Sequence, residues 1–205
     1  MIRPSAAELN VSRETFERFE IYVSLIEKWT TKINLISRGS LPFVWTRHIR
    51  DSLQVYQCGP DRFDHWVDLG SGGGLPGVVV AILAAESPQQ KKVTLVESDG
   101  RKAAFLRTAL RETGVPGHVV CSRIEALDPQ AADVISARAL ADLGQLLAFT
   151  ERHLTPGGVA IFPKGVTWQD EVAAARMSWS FQLETHDSQT EDGSVILKIG
   201  DVARV

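Results

Sequence analysis

The sequence predicts an α/β fold, a mostly parallel sheet that ends in an antiparallel hairpin and is preceded by a helical extension. Three observations carry this. From His65 onward, short apolar runs alternate with stretches of helical spacing, the pattern of parallel strands covered on both faces by helices. The last two extended runs, Phe181 to Asp187 and Ser194 to Ile199, are joined by SQTEDG, a polar link carrying the turn pair Asp192-Gly193. Residues 1–64 show helical spacing instead, so the chain divides into a helical extension over 1–64, packed on the core, and one compact unit over 65–205. A length of 205 residues suits one sizeable core with such an appendage.

Taken in order, Ser12 to Trp29 places Phe16, Phe19, Val23 and Ile26 three and four apart, an amphipathic helix started by Ser12 and Glu14. Tyr22 and Trp29 flank that stripe and read as core packing. Arg38-Gly39-Ser40 reads as a turn, and Leu41 to Val55 as a second helix. On that helix His48, Asp51 and Ser52 share a face, either a solvated, helix-stabilising face or one that meets a ligand. Strands follow at His65 to Gly70, Lys92 to Ser98, His118 to Ser122, Asp133 to Ala137 and Val159 to Pro163. Helical spacing begins between them at Gly77, Arg101, Leu140 and Trp168. In such a sheet, ligands lie at the carboxyl ends of the strands.

Composition narrows the classes. Hydrophobic residues make up 44% and charged residues 23%, ordinary values for a globular protein. No apolar run is long enough to span a bilayer, and MIRPSAAELN lacks the apolar segment of a signal peptide, so the expected location is cytoplasmic with no membrane partner. Cys58 and Cys121 stand alone, which suggests neither a disulfide framework nor a metal site. A net charge of -3 argues against a uniformly basic coat for nucleic acid. Residues 1–50 nevertheless hold eight Lys or Arg against five Glu, which makes this quarter either the place for a phosphate-facing patch or an ordinary solvated helix face.

The stretch that carries chemistry is Val67 to Gly77, VDLGSGGGLPG. A short apolar run ending in an acid, then four glycines in five positions, then Pro76, reads as strand, tight turn and helix start. Glycine adopts positive φ there without penalty, and Pro76 suits the first helical position. Gly70, Gly72 and Gly74 after Asp68 give the D-x-G-x-G-x-G loop of S-adenosylmethionine-dependent methyltransferases. Gly72, Gly74 and Gly77 also satisfy the dinucleotide pattern G-x-G-x-x-G, and Glu97 stands where an acid would take ribose hydroxyls in either class. The closing hairpin favours the methyltransferase, because a dinucleotide-dependent dehydrogenase would continue with a second βαβ half.

The segments KINLISRG, TRHIRDSL, VDLGSGGGLPGVVVAI, GRKAAFL, SRIEAL, SARALADL and FPKG, in this order and spacing, resemble the bacterial small-subunit (16S) ribosomal RNA guanine-N7 methyltransferase family, RsmG or GidB. The resemblance runs from about residue 20 to residue 165. It implies a Rossmann-like S-adenosylmethionine-dependent methyltransferase fold, S-adenosylmethionine as cofactor, and small-subunit ribosomal RNA or the ribosomal subunit as partner, with no obligate protein partner. It also implies that Asp68, Gly70, Gly72, Gly74 and Leu75 form the cofactor loop, that Glu97 takes the ribose, and that Ile124 and Glu125 edge the adenine. Arg138 would form the floor after the fourth strand.

Guanine N7 carries an in-plane lone pair and no proton at neutral pH, so methyl transfer to it needs no general base. The chain offers no acid/base dyad or nucleophile, in keeping with that chemistry, and no catalytic residue in the strict sense is expected. Arg138, His48, Asp51 and Lys164 are positioning candidates. Arg138 reads either as a donor to guanine O6 or phosphate, or as half of a buried ion pair with Glu125 or Asp68. Arg47, Arg101, Lys102, Arg123 and Lys164 are candidates for RNA phosphates. Other readings are a methyltransferase of this fold acting on another RNA position or a small molecule, a nicotinamide-dependent enzyme, and an RNA or assembly factor that does no chemistry.

Overall fold

The computed structural model describes residues 3–205. Seven strands form one sheet in the order β3-β2-β1-β4-β5-β7-β6. The first five are parallel neighbours: β1 (His65–Leu69), β2 (Lys92–Glu97), β3 (His118–Cys121), β4 (Ala132–Ser136) and β5 (Leu154–Lys164). The closing hairpin, β6 (Trp179–Asp187) and β7 (Val195–Arg204), turns back so that β7 enters between β5 and β6, antiparallel to both. The sheet edge beyond β5 is thus an antiparallel hairpin, not a further parallel strand.

Every residue of β1 is buried, because helices cover both its faces. The helices of the sheet unit are α4 (Gly77–Ala84), α5 (Gly100–Thr113), α6 (Leu143–His153) and α7 (Trp168–Ala175), preceded by α1 (Ala6–Leu9), α2 (Arg13–Thr30) and α3 (Arg50–Gln57). α4 is apolar all round and wholly buried, sandwiched between the sheet and the N-terminal helices. α2 starts at Ser12, whose Oγ accepts from Thr15 N at 3.0 Å, and packs its apolar stripe on α4 and α5. Phe16, Phe19, Tyr22 and Ile26 thereby join one hydrophobic cluster with Val78, Ile82, Phe105 and Leu106.

Two local expectations need correction. Pro76 is not the first helical residue: α4 begins at Gly77, and Gly74 O and Pro76 O already accept from Val78 N and Val80 N at 2.7 and 3.0 Å. The second N-terminal helix is not uniform. It runs as a 3-10 turn over Arg38–Phe43, a π turn over Val44–Ile49, and only then as α3. Pro42 in the first segment cannot donate a helical hydrogen bond, and the wide π turn absorbs an extra residue before the α register resumes.

Candidate active site

Two clefts open side by side where the strand order reverses, at the carboxyl ends of β1 and β4. The first, of about 560 Å³, is walled by Gly70 to Gly73, Leu75, Glu97, the turn from Ser122 to Glu125, and Leu140, Gln145 and Phe149. Its glycine loop needs its glycines: Gly70, Gly72 and Gly74 have φ of 64°, 54° and 83°. Ser71 N donates to Val96 O at 2.9 Å, and Gly72 N donates to Glu97 Oε2 at 2.8 Å. From outside the sheet, Tyr22 Oη donates to Gly73 O at 2.6 Å. The ring that the helical spacing marks as core packing thus also fixes the loop.

The D-x-G-x-G-x-G pattern proves to serve two jobs. Gly70, Gly72 and Leu75 line the cleft, but Asp68 and Gly74 do not. Gly74 faces the N-terminal helix, where a Cβ would stand 2.5 Å from Val78 Cγ2 and 2.8 Å from Tyr22 Oη. Asp68 is 1% exposed beneath the loop; its Oδ1 accepts from Ser136 Oγ at 2.7 Å, and that hydroxyl accepts from Trp66 Nε1. Asp68 Oδ2 has no hydrogen-bond partner and abuts Gly77, where a Cβ would lie 2.5 Å from it. Burial pushes the Asp68 carboxyl up to about 6, against the pull of the Ser136 and Ser71 hydroxyls. Glu97 borders the cleft with each oxygen taking one backbone donor, Gly72 N and Asp99 N, both at 2.8 Å. A carboxylate so engaged keeps lone pairs for further donors. Ile124 and Glu125 lie across the cleft from the loop.

The second cleft, of about 590 Å³, shares Leu35, Arg138, Ala139 and Ala141 with the first and is walled beyond them by His48, Asp51, Lys164 and the link after β6. Arg138 Nη1 lies 2.9 Å from His48 Nδ1 and 3.7 Å from Asp51 Oδ2. Neither Glu125 nor Asp68 pairs with it; Asp51 does, because the π turn and α3 bring the N-terminal segment over the end of β4. A guanidinium only donates, so His48 Nδ1 accepts and the ring proton sits on Nε2. Burial, with the Arg138 and Arg47 charges, pulls His48 down to about 4. Burial raises the Asp51 carboxyl, opposed by the Thr190 hydroxyl and Arg138.

His48 and Asp51 therefore meet at Arg138, but Ser52 does not join them. Its Oγ donates to His48 O at 2.8 Å and is 1% exposed outside the cleft. Lys164 borders the second cleft as a strut: its Nζ pairs with Glu171 Oε2 at 2.7 Å and donates to Ala141 O at 3.0 Å, which leaves it committed rather than presented to phosphate. Arg101 pairs with Asp99 on the surface and lines neither cleft. Lys102 and Arg123 stand at the rim of the first cleft, and Arg47 at the second.

The least expected wall is the polar link between β6 and β7. Gln54 Nε2 donates to Asp187 O at 2.6 Å, and Gln54 Oε1 accepts from Gln189 N at 3.1 Å. Thr190 Oγ1 donates to Asp51 Oδ1, and Arg47 pairs with Glu191 at 3.2 Å. A hint stood in the sequence, since a link so rich in side-chain donors and acceptors exceeds what a turn requires. Among the described residues no group of three or more His, Cys, Asp or Glu is placed to hold a metal ion.

Against known proteins, residues 15–194 match the family model GidB, rRNA small subunit methyltransferase G. The chain is 54% identical to the ribosomal RNA small subunit methyltransferase G of Ruegeria pomeroyi over 205 residues, all of both chains. It is 48% identical to that of Rhizobium meliloti over 201 residues, 96% of this chain and 93% of the relative. A solved structure of M. jannaschii TYW2 in complex with AdoMet shares the fold at a TM-score of 0.58 and 14% identity, covering 86% of this chain and 80% of its own. Similarity over nearly the whole length, at about half identity, with a matching fold, has one meaning: the chain belongs to the GidB family, the rRNA small subunit methyltransferases G.

Proposed function

We propose that this protein transfers the methyl group of S-adenosylmethionine to N7 of a guanine in small-subunit ribosomal RNA. The observation that carries the reading is the pair of clefts that meet at Arg138, one built by a glycine loop and a buried acid, the other by polar groups of a quite different character. The first cleft fits the cofactor. At Gly72 a Cβ would project into space with only Gly70 O nearby, at 3.8 Å, so the loop backbone is open to a ligand lying along it. Gly70, Gly72 and Leu75 would hold the methionyl end, Glu97 the ribose, and Ile124 with Glu125 the adenine. When bound, S-adenosylmethionine supplies an electrophilic sulfonium methyl.

What the chain must add is alignment. N7 brings its own lone pair, so no side chain has to remove a proton, and holding the two partners in line can supply much of the acceleration. Arg138, fixed by His48 and Asp51, presents a charged donor between the clefts, suited to guanine O6 or a phosphate while leaving N7 free. His48, held neutral well below physiological pH, adds no second charge there. Arg47, Lys102 and Arg123 ring the two openings as contacts for RNA phosphates.

The testing experiment is transfer of labelled methyl from S-adenosylmethionine to small ribosomal subunits and to their extracted RNA, followed by nucleoside analysis. Label in 7-methylguanosine is expected. Label in another nucleoside would move the target atom, and no label where S-adenosylhomocysteine binding is demonstrated would overturn the substrate.

A further inference from the structure

We propose a second RNA subsite, a groove beside the second cleft that takes the unpaired nucleotide next to the target guanine, with its base on Phe43 and its phosphates on Arg47 and Arg50. This rests on the reading of the protein as an RNA methyltransferase. Phe43 is 57% exposed, among the largest apolar side chains left open to solvent. It ends the 3-10 turn, immediately before the π turn begins at Val44. With Thr46, Arg47, Arg50, Gln189 and Thr190 it lines a groove of about 560 Å³, which joins the second cleft through Arg47 and Thr190.

The chemistry of this groove fits single-stranded RNA. An open aromatic face flanked by arginines is how proteins hold unstacked bases without reading sequence. Arg47 is tied to Glu191 only by an exposed pair, with side chains 49% and 53% exposed, and such pairs are weak enough to exchange for a phosphate. Arg50 lines the same groove beside Arg47. Gln189 and Thr190 offer neutral polar groups at the junction, and Thr190 also holds Asp51 of the methylation site. An RNA strand that delivers a guanine to Arg138 would therefore leave its neighbouring nucleotide against Phe43.

The test compares wild type, Phe43→Leu and Phe43→Trp in steady-state methylation of small ribosomal subunits, with S-adenosylhomocysteine affinity measured in parallel. Loss of one base–aromatic stack should raise KM for RNA about fivefold or more in Phe43→Leu. Phe43→Trp should keep wild-type KM, and S-adenosylhomocysteine affinity should not move in either. Arg47→Gln and Arg50→Gln should each lower the slope of log affinity against log salt by about 0.7 for a single-stranded RNA oligomer. An active wild type with Phe43→Leu unchanged in KM would overturn the subsite alone. A wild type that methylates no ribosomal RNA while binding S-adenosylhomocysteine would overturn the reading beneath it and the subsite together.

Discussion

The contact that ties the N-terminal helix to the glycine loop can be cut by one atom. Tyr22→Phe deletes the hydroxyl that donates to Gly73 O at 2.6 Å and leaves the ring, fully buried and packed near Phe105 at 6.5 Å between centroids. The cost comes chiefly from a carbonyl left enclosed without its donor, about 1–3 kcal/mol. For a chain of this size each kcal/mol moves Tm by about 2–4 °C, so a loss near the middle of that range lowers Tm by about 4–8 °C. The loop is also less ordered before ligand arrives, so ligand binding must supply that order. If about 1–2 kcal/mol of the loss is carried into binding, S-adenosylhomocysteine affinity falls about five- to thirtyfold. Thermal unfolding with and without S-adenosylhomocysteine, together with calorimetric titration, reads both effects. A variant with wild-type Tm and wild-type affinity would refute the coupling, and a lower Tm with unchanged affinity would reduce Tyr22 to a packing residue.

Three further outcomes are expected. Arg138→Ala should lower methyl transfer by about a hundredfold or more with far-UV circular dichroism unchanged, since it removes the charged donor common to both clefts; normal turnover would end its positioning role. Thr190→Val should raise KM for RNA several-fold and leave S-adenosylhomocysteine affinity alone, because it frees Asp51 in the second cleft only. His48 and Asp68 should make stability depend on acid in opposite directions. His48 stands at about 4 folded against about 6.5 unfolded, so the unfolded chain takes its proton first and this contribution is lost as pH falls between those values. Asp68 stands at about 6 against 3.8, so its contribution is present at low pH and lost as pH rises through that interval. Denaturant midpoints taken from about pH 7 to about pH 4.5 should show His48→Gln losing less stability than wild type, and Asp68→Asn losing more. Equal slopes for all three proteins would refute these environments.

The parts legible in the sequence were those set by local rules. Alternation of strand and helix, the Asp192-Gly193 turn and the glycine loop each depend on a few adjacent residues, and they fall where expected with ends shifted by one to a few positions. β5 and β7 are the largest exceptions: β5 starts at Leu154 rather than Val159, since Leu154 already pairs with Ala132 before a bulge that ends at Val159, and β7 runs on to Arg204 rather than Ile199. What sequence spacing could not convey was direction and partnership. Asp68 and Gly74 belong to the expected pattern yet face the core: Asp68 is a residue of the wholly buried strand β1, and Gly74 is packed against Val78, Tyr22 and Leu106. Lys164 is held by Glu171, seven residues on but across a turn, and Ser52 is turned aside by a π segment that a 3.6-residue period does not contain. The wall from Gln189 to Glu191 depends on contacts with residues more than 130 positions earlier, for which periodicity carries no signal.

Those long separations also set an order in time. As the chain leaves its own ribosome, every residue that walls the first cleft has been made once Phe149 is added. The second cleft must wait for Asp187 to Glu191 to arrive and close on Arg47, Asp51 and Gln54, across 133 to 144 residues. Contacts of such span form late, after shorter loops have closed. The newborn protein can thus complete the walls of the first cleft before those of the second, which wait for the link between β6 and β7.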